Sequence, residues 1–273
     1  MNLPRFDIRS GRQIAFPKHT MTITGSSYRL HCSEIWGGND NVDCDVCTTG
    51  ITASLYSSAC CNSSQGGDIY YFTVCSNEFL TRVILADLRG HGEQVSQLSA
   101  WIYSALQNHL ESLDGSSILR SLNQTLFQRG FQAITTAAVV SFYKPNSKLY
   151  FSYAGHPPAL LRSQDGQAWQ PLLSSTTRDR ANLPLGVFPS TDYDQEAIAL
   201  QSGDRLALYT DGVTECPSER EEEFGEERLC ALLEGSRGEE VSAIKRRLTE
   251  ALNEHAGGAA RPDDLTLMLI EIA

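Results

Sequence analysis

The stretch Thr81-Arg82-Val83-Ile84-Leu85-Ala86-Asp87-Leu88-Arg89-Gly90-His91-Gly92 ends an apolar run on an acid and then turns between two glycines. Thr81–Ala86 reads as a strand, and with Ile69–Cys75 and the turn Ser76-Asn77-Glu78 before it forms a hairpin. Past Gly92 the period changes. Val95, Leu98, Ile102, Leu106 and Leu110 recur at helical spacing, which predicts an amphipathic helix over Glu93–Leu113. The junction between sheet and helix therefore carries Asp87. A carboxylate is costly to bury unless it is paired or coordinated. Three more acids stand where apolar runs start or stop: Asp68 in Gly66-Gly67-Asp68, Asp211 soon after Arg205–Tyr209, and Asp263 just before Leu265–Ile270. If those strands pack side by side, the acids gather at one rim of a sheet. Oxygen ligands without Cys or His suit hard divalent cations, Mg2+ or Mn2+, and predict a metal-dependent hydrolytic site.

Working outward, Ile51–Ser57 alternates loosely as a strand, and a second helix is expected at about Ser116–Gly130. Strands return at Thr135–Tyr143 and Lys148–Tyr153, joined by Pro145-Asn146-Ser147, then at Ala159–Arg162, Ile198–Leu200 and Arg205–Tyr209. Helices at Glu226–Glu234 and Glu239–His255 precede a last strand, Leu265–Ile272. Strands, two helices, more strands, two helices and a final strand make an α+β layered domain. Residues 1–45 carry no such pattern beyond a strand at Tyr28–Cys32, and are expected as an extension on the edge of a domain spanning 46–273.

Composition narrows the function. With 273 residues and 41% hydrophobic content the chain can bury a real core. A net charge of −11 argues against a nucleic-acid surface, which needs clustered Lys and Arg. No run is apolar and long enough for a membrane span, and no apolar segment of signal-peptide type follows Met1, so a cytoplasmic location is expected. The eight cysteines then read as reduced thiols. Cys44-x-x-Cys47 has zinc-ligand spacing but lacks a second pair at such spacing, so packing or loop roles are expected. The acidic stretch Glu219–Glu227 reads as a solvated loop and helix start.

Eight segments, taken in order, resemble one family. They are Gly66-Gly67-Asp68, Asp87-Leu88-Arg89-Gly90-His91-Gly92, Tyr153-Ala154-Gly155-His156-Pro157-Pro158-Ala159-Leu160-Leu161, Leu183-Pro184-Leu185-Gly186, Ser202-Gly203-Asp204-Arg205-Leu206, Leu208-Tyr209-Thr210-Asp211-Gly212-Val213-Thr214-Glu215, Phe224-Gly225-Glu226-Glu227-Arg228-Leu229 and Asp263-Asp264-Leu265-Thr266. The chain resembles the bacterial sporulation-phosphatase-like (SpoIIE-type) branch of the PP2C-like metal-dependent protein serine/threonine phosphatases. The resemblance implies a four-layer α-β-β-α sandwich of two antiparallel sheets flanked by helix pairs, with a binuclear Mn2+ or Mg2+ site at one edge. It places Asp87 as the bridging ligand and gives Leu88 a main-chain carbonyl role. Asp211 and Asp263 complete one metal, Asp68 holds the other, and Asp264 sits behind the ligands or caps the strand.

Catalysis would then run through the metals held by Asp87 and Asp211. Arg89 is a secondary candidate for binding phosphate. His91 is one for the general acid, although it lies four residues after Asp87 where eukaryotic relatives have a His two residues on; its alternative is shaping the helix start. His156 reads as fixing a loop and Asp204 as a turn residue. In one departure, the family often has a second acid three residues after the first, where this chain has Tyr71. In another, Glu93-Gln94-Val95-Ser96 is bulkier and more polar than the family's helix start. The implied substrate is a phosphorylated regulatory protein of anti-sigma-antagonist type. A partner-binding scaffold with the same fold and a small-molecule phosphohydrolase are the alternatives.

Overall fold

The computed structural model describes residues 5–7, 12–14, 24–61, 63–88, 93–130, 134–166, 168–173 and 183–273. Two short strands, β1 (Arg5–Asp7) and β2 (Arg12–Ile14), pair as a ribbon. The remaining strands are β3 (Thr24–Arg29), β4 (Ile35–Asp40), β5 (Val42–Cys47), β6 (Ile51–Ser58), β7 (Gln65–Val74), β8 (Leu80–Leu88), β9 (Thr135–Tyr143), β10 (Lys148–Ala154), β11 (Leu160–Arg162), β12 (Gln170–Pro171), β13 (Glu196–Ala199), β14 (Arg205–Tyr209) and β15 (Leu265–Ile272). The helices are α1 (Glu93–Asn108), α2 (Gly115–Gln128), the single turn α3 (Asp211–Thr214), α4 (Gly225–Glu234) and α5 (Val241–Ala256).

The strands form a six-stranded sheet, ordered β13-β10-β9-β8-β7-β4, and a seven-stranded sheet, ordered β12-β11-β14-β15-β6-β5-β3. Pairing in both is antiparallel except for β3 with β5, which is parallel. Three apolar clusters define the layers. Between the sheets, Trp36, Phe72, Leu85, Val140 and Phe151 meet Val46, Leu55, Leu208, Met268 and Ile270. Outside the six-stranded sheet, Ile69, Ile84 and Leu88 meet Leu98, Ile102 and Leu106 of α1 and Ile118 and Leu122 of α2. Outside the seven-stranded sheet, Tyr209, Leu267 and Leu269 meet Leu229 of α4 and Ile244 and Leu248 of α5. Because both faces of the central strands are covered, Ile69–Val74 is an almost unbroken apolar run although its side chains alternate between two cores.

The chain repeatedly changes sheet: β3, β5 and β6 belong to one, β4 and β7 to the other, and β13 lies in the six-stranded sheet between β12 and β14 of its neighbour. The boundary expected at residues 45 and 46 falls inside β5, and β3 and β4 are the outer strands of the two sheets. The strand expected at Tyr28–Cys32 is β3, which starts earlier and stops at Arg29.

Helix α1 is shorter than expected, and Arg82 explains why. Its fully buried guanidinium donates to Ser141 Oγ at 3.0 Å, to the His109 carbonyl at 3.0 Å and to the Ser112 carbonyl. Those carbonyls turn inward to Arg82 instead of extending the helix to Leu113. Asp114 then caps α2, accepting from the Ser117 amide at 3.2 Å.

Candidate active site

Asp68 and Asp87 face each other across β7 and β8, as register partners at the same end of the six-stranded sheet. Asp211 opens α3 directly after Thr210, and Asp263 stands two residues before β15, so both belong to the neighbouring end of the seven-stranded sheet. The four acids thus lie at one rim of the sandwich, two contributed by each sheet.

The acids feel one another's charge. Burial first, and then the charges of Asp211, Asp263, Asp264 and Glu215, push Asp87 up to about 7. Asp68 is 2% exposed; burial, followed by the charge of Asp87, raises its pKa well above the usual carboxylate range, opposed by hydrogen bonds from Thr266 and Thr210. Glu215 is an acid of this rim that the spacing of strand ends did not single out, since it follows α3 rather than a strand.

Two cross-sheet braces fix the rim. Thr210 Oγ1 donates to Asp68 Oδ2 at 2.8 Å and accepts from the Thr266 amide at 3.0 Å, while the Thr210 amide donates to the Thr266 carbonyl at 3.0 Å. The Thr266 hydroxyl in turn shares a 2.8 Å hydrogen bond with Ser57 Oγ. Asp264 accepts from the Cys60 amide at 2.7 Å through Oδ1 and from the Gly67 amide through Oδ2. Its carboxylate therefore holds the turn that presents Asp68. Gly66 is small because a Cβ there would stand 2.7 Å from Asp264 Cγ, and Gly212 because a Cβ would come within 1.8 Å of the Asp264 carbonyl oxygen. Sequence reading passed over Thr210 and Thr266; the only signal was a threonine next to Asp211 and another soon after Asp263.

The other candidates sort as follows. The Leu88 side chain is buried in the helix-side core with α1. Asp263 Oδ1 accepts from the Asp264 amide at 2.8 Å. Arg89 and His91 lie outside the described residues, as does the Glu93 side chain. Tyr71 points away from the rim into the helix-side core, where its hydroxyl meets Ser99 Oγ of α1 at 2.8 Å. His156 is buried with Nδ1 2.9 Å from the Pro157 carbonyl, and burial lowers its pKa to about 4. Asp204 accepts from the Gln201 and Gln164 amides at 2.7 and 2.8 Å, as a turn residue does. Cys44 is buried inside the sandwich whereas Cys47, three residues on along the same strand, is only partly buried. Burial pushes the Cys44 thiol up to about 12, the behaviour of a packing residue.

The donor set suits a hard divalent cation: carboxylates with no Cys or His among them, whose mutual charge raises Asp87. Among the described residues no three His, Cys, Asp or Glu side chains stand close enough together to hold a metal ion as they are placed. Asp68 and Asp264 are already engaged by Thr210 and by backbone amides.

Residues 78–273 match the family model described as Stage II sporulation protein E (SpoIIE). The chain belongs to the SpoIIE family. It is 24% identical over 218 residues to the phosphoserine phosphatase RsbP of Bacillus subtilis (strain 168), covering 77% of this chain and 50% of RsbP. This SpoIIE-family chain thus spans about half the length of that relative. Among solved structures it superimposes on the SiaA-PP2C domain of Pseudomonas aeruginosa with a TM-score of 0.67 at 20% identity, covering 80% of this chain and 86% of that one. RsbX in complex with magnesium gives a TM-score of 0.60 at 20% identity, covering 84% of this chain and 98% of RsbX. The fold is the α+β PP2C-like sandwich with two sheets and flanking helices. No helix among the described residues is long and apolar enough to cross a membrane.

Proposed function

We propose that this chain is a cytoplasmic metal-dependent protein serine/threonine phosphatase acting on phosphoserine or phosphothreonine of a regulatory protein. The observation that carries the reading is the convergence of Asp211, Asp263, Asp264 and Glu215 on Asp87, beside the register pair Asp68–Asp87. Two Mg2+ or Mn2+ ions bound there would supply the acidified water and the charge neutralisation that phosphate-ester hydrolysis needs. Asp87, which feels the charges of Asp211 and Asp263 and is the register partner of Asp68, would be the ligand shared by the two ions. Asp211 and Asp263 face it from the seven-stranded sheet, and Asp68 faces it from β7. Leu88 would contribute only its main-chain carbonyl. Thr210 and Asp264 are positioning residues that set where the carboxylates stand.

RsbP is described as a phosphoserine phosphatase and RsbX as crystallised with magnesium, which supports the same chemistry here. A phosphorylated anti-sigma-antagonist-type protein is the substrate that best fits this reading. A second reading, a partner-binding scaffold of the same fold, draws on Tyr71, whose hydroxyl serves α1 where relatives often carry an acid.

The deciding experiment measures hydrolysis of an aryl phosphate, a small phosphomonoester and phosphoserine proteins with Mn2+, with Mg2+ and with chelator. Turnover of phosphoprotein only with metal is expected, with no phosphoenzyme isolated. Full activity in chelator sinks the mechanism, tight binding without turnover selects the scaffold, and preference for the small ester selects a small-molecule phosphohydrolase.

A further inference from the structure

At the opposite end of the seven-stranded sheet a row of cations crosses the outer face. Arg162 of β11 is the register partner of Arg205 of β14, and Arg205 is the partner of Glu271 of β15. Leu160, Ala207 and Leu269, two residues away on the same strands, belong to the outer core, so the row shares that face. Glu271 Oε2 lies 2.7 Å from Arg205 Nε and 2.6 Å from Nη2. Among the described residues Arg162 makes no such ion pair. Glu234, the carboxylate that faces it, accepts the Trp169 amide at 2.6 Å and pairs with Arg237 at 3.6 Å.

Like charges directly opposite on one face of a ladder repel. Burial, and then the charges of Arg237 and Arg205, push the Arg162 pKa down. Three N–H donors here are also buried without a hydrogen-bond partner: Arg162 Nε, Arg205 Nη1 and Trp169 Nε1. Trp169 precedes Gln170, which pairs with Leu161, so it comes next to Arg162 in the same row. Unpaired buried donors are costly and mark a place where an acceptor belongs. Among the described residues of this row, three arginines, Arg162, Arg205 and Arg237, share two glutamates, Glu271 and Glu234, on a chain whose net charge is −11.

We propose that Arg162, Arg205, Arg237 and Trp169 form a binding site for a small phosphate-class anion, either inorganic phosphate or the phosphomonoester group of a small metabolite. A tetrahedral dianion offers acceptor oxygens in several directions, matching guanidinium forks that reach it from different strands. The site is separate from the acidic rim. Arg205 starts β14 and Tyr209 ends it, so about four strand steps, roughly 13 Å, divide the row from the residue preceding Thr210 and Asp211.

The test is calorimetric titration of the full chain in chelator, so that phosphate cannot bind through metals. The titrants are inorganic phosphate, glycerol phosphate and sodium chloride as the ionic control. One saturable site for phosphate or glycerol phosphate is expected, weakened at least tenfold by Arg162→Gln and by Arg237→Gln; the tighter ligand of the two identifies the source. Without anion, Arg162→Gln should melt at or above the wild-type temperature because a like-charge contact is removed. About tenfold excess of phosphate over its Kd should raise the wild-type melting temperature by about 3–6 °C and that of either variant by less than about 2 °C. Absence of saturable binding, or equal binding by wild type and both variants, overturns the site. If Arg162→Gln does not fold, the exposed Arg237→Gln variant decides alone.

Discussion

Replacing Asp87 by Asn should stabilise the metal-free protein, and the size of the gain should depend on pH in a defined direction. Asp87 is pushed from its ordinary value of 3.8 up to about 7 by burial and by four neighbouring acids. The folded state therefore keeps a proton that the unfolded chain has already released between those two pH values. Where the native state binds more protons, stability falls as pH rises. The penalty is absent below pH 3.8, grows through the interval and is complete above about 7. The gap between 3.8 and about 7 corresponds to on the order of 4 kcal/mol of differential interaction between the two protonation states. Asp87 retains some solvent contact and its neighbours can move apart, so about 1–4 kcal/mol is the expected range. For a domain of this size that is a rise in melting temperature of roughly 3–10 °C at pH 8. Asn keeps the volume and carries no charge to repel. The assay is thermal unfolding of wild type and Asp87→Asn in chelator at pH 5 and pH 8, then at pH 8 with Mn2+. The variant's advantage should be smaller at pH 5, larger at pH 8, and reversed by Mn2+, which stabilises only a protein with its acids intact. An advantage that does not change with pH, or a lower melting temperature for the variant in chelator at pH 8, would refute the convergence of charge on Asp87.

Two further substitutions probe the braces. Thr210→Val removes the donor to buried Asp68 and the acceptor of the Thr266 amide, and should cost about 1–3 kcal/mol by chemical denaturation together with weaker Mn2+ binding; unchanged stability would mean that the hydroxyls are not fixing Asp68. Gly212→Ala would drive a Cβ to 1.8 Å from the Asp264 carbonyl oxygen, so the β14–α3 corner must shift, and circular dichroism should show a melting temperature at least several degrees lower.

Much of the layer plan was readable because turns and acids mark the strand ends: Asp87 after Ala86, Asp211 after Thr210 and Asp263 before Leu265 all sit where apolar runs break. What was hidden depends on contacts between segments distant in sequence. β4 escaped notice because Gly37-Gly38 looks like a loop, yet a Cβ at Gly37 would stand 2.0 Å from the Tyr70 carbonyl oxygen, so glycine is what lets β4 approach β7. The early end of α1 depends on Arg82, a strand residue whose cationic head no helical period anticipates. Asp264 was read as sitting behind the ligands or capping the strand; only the folded chain shows which groups it engages, the Cys60 and Gly67 amides. Tyr71 was noticed as a missing acid, and its partnership with Ser99 became visible only once α1 lay across β7.

The contribution of two acids from each sheet has a thermodynamic consequence. Whatever binds among Asp68, Asp87, Asp211 and Asp263 also measures the slip of one sheet past the other, because the Thr210–Asp68 and Asp264–Gly67 contacts cross that seam. Ligand affinity and seam alignment are then reciprocal: a partner docking on either helical layer and nudging its sheet would retune the rim without touching it, and an occupant of the rim would stiffen the response of both outer layers by the same free energy.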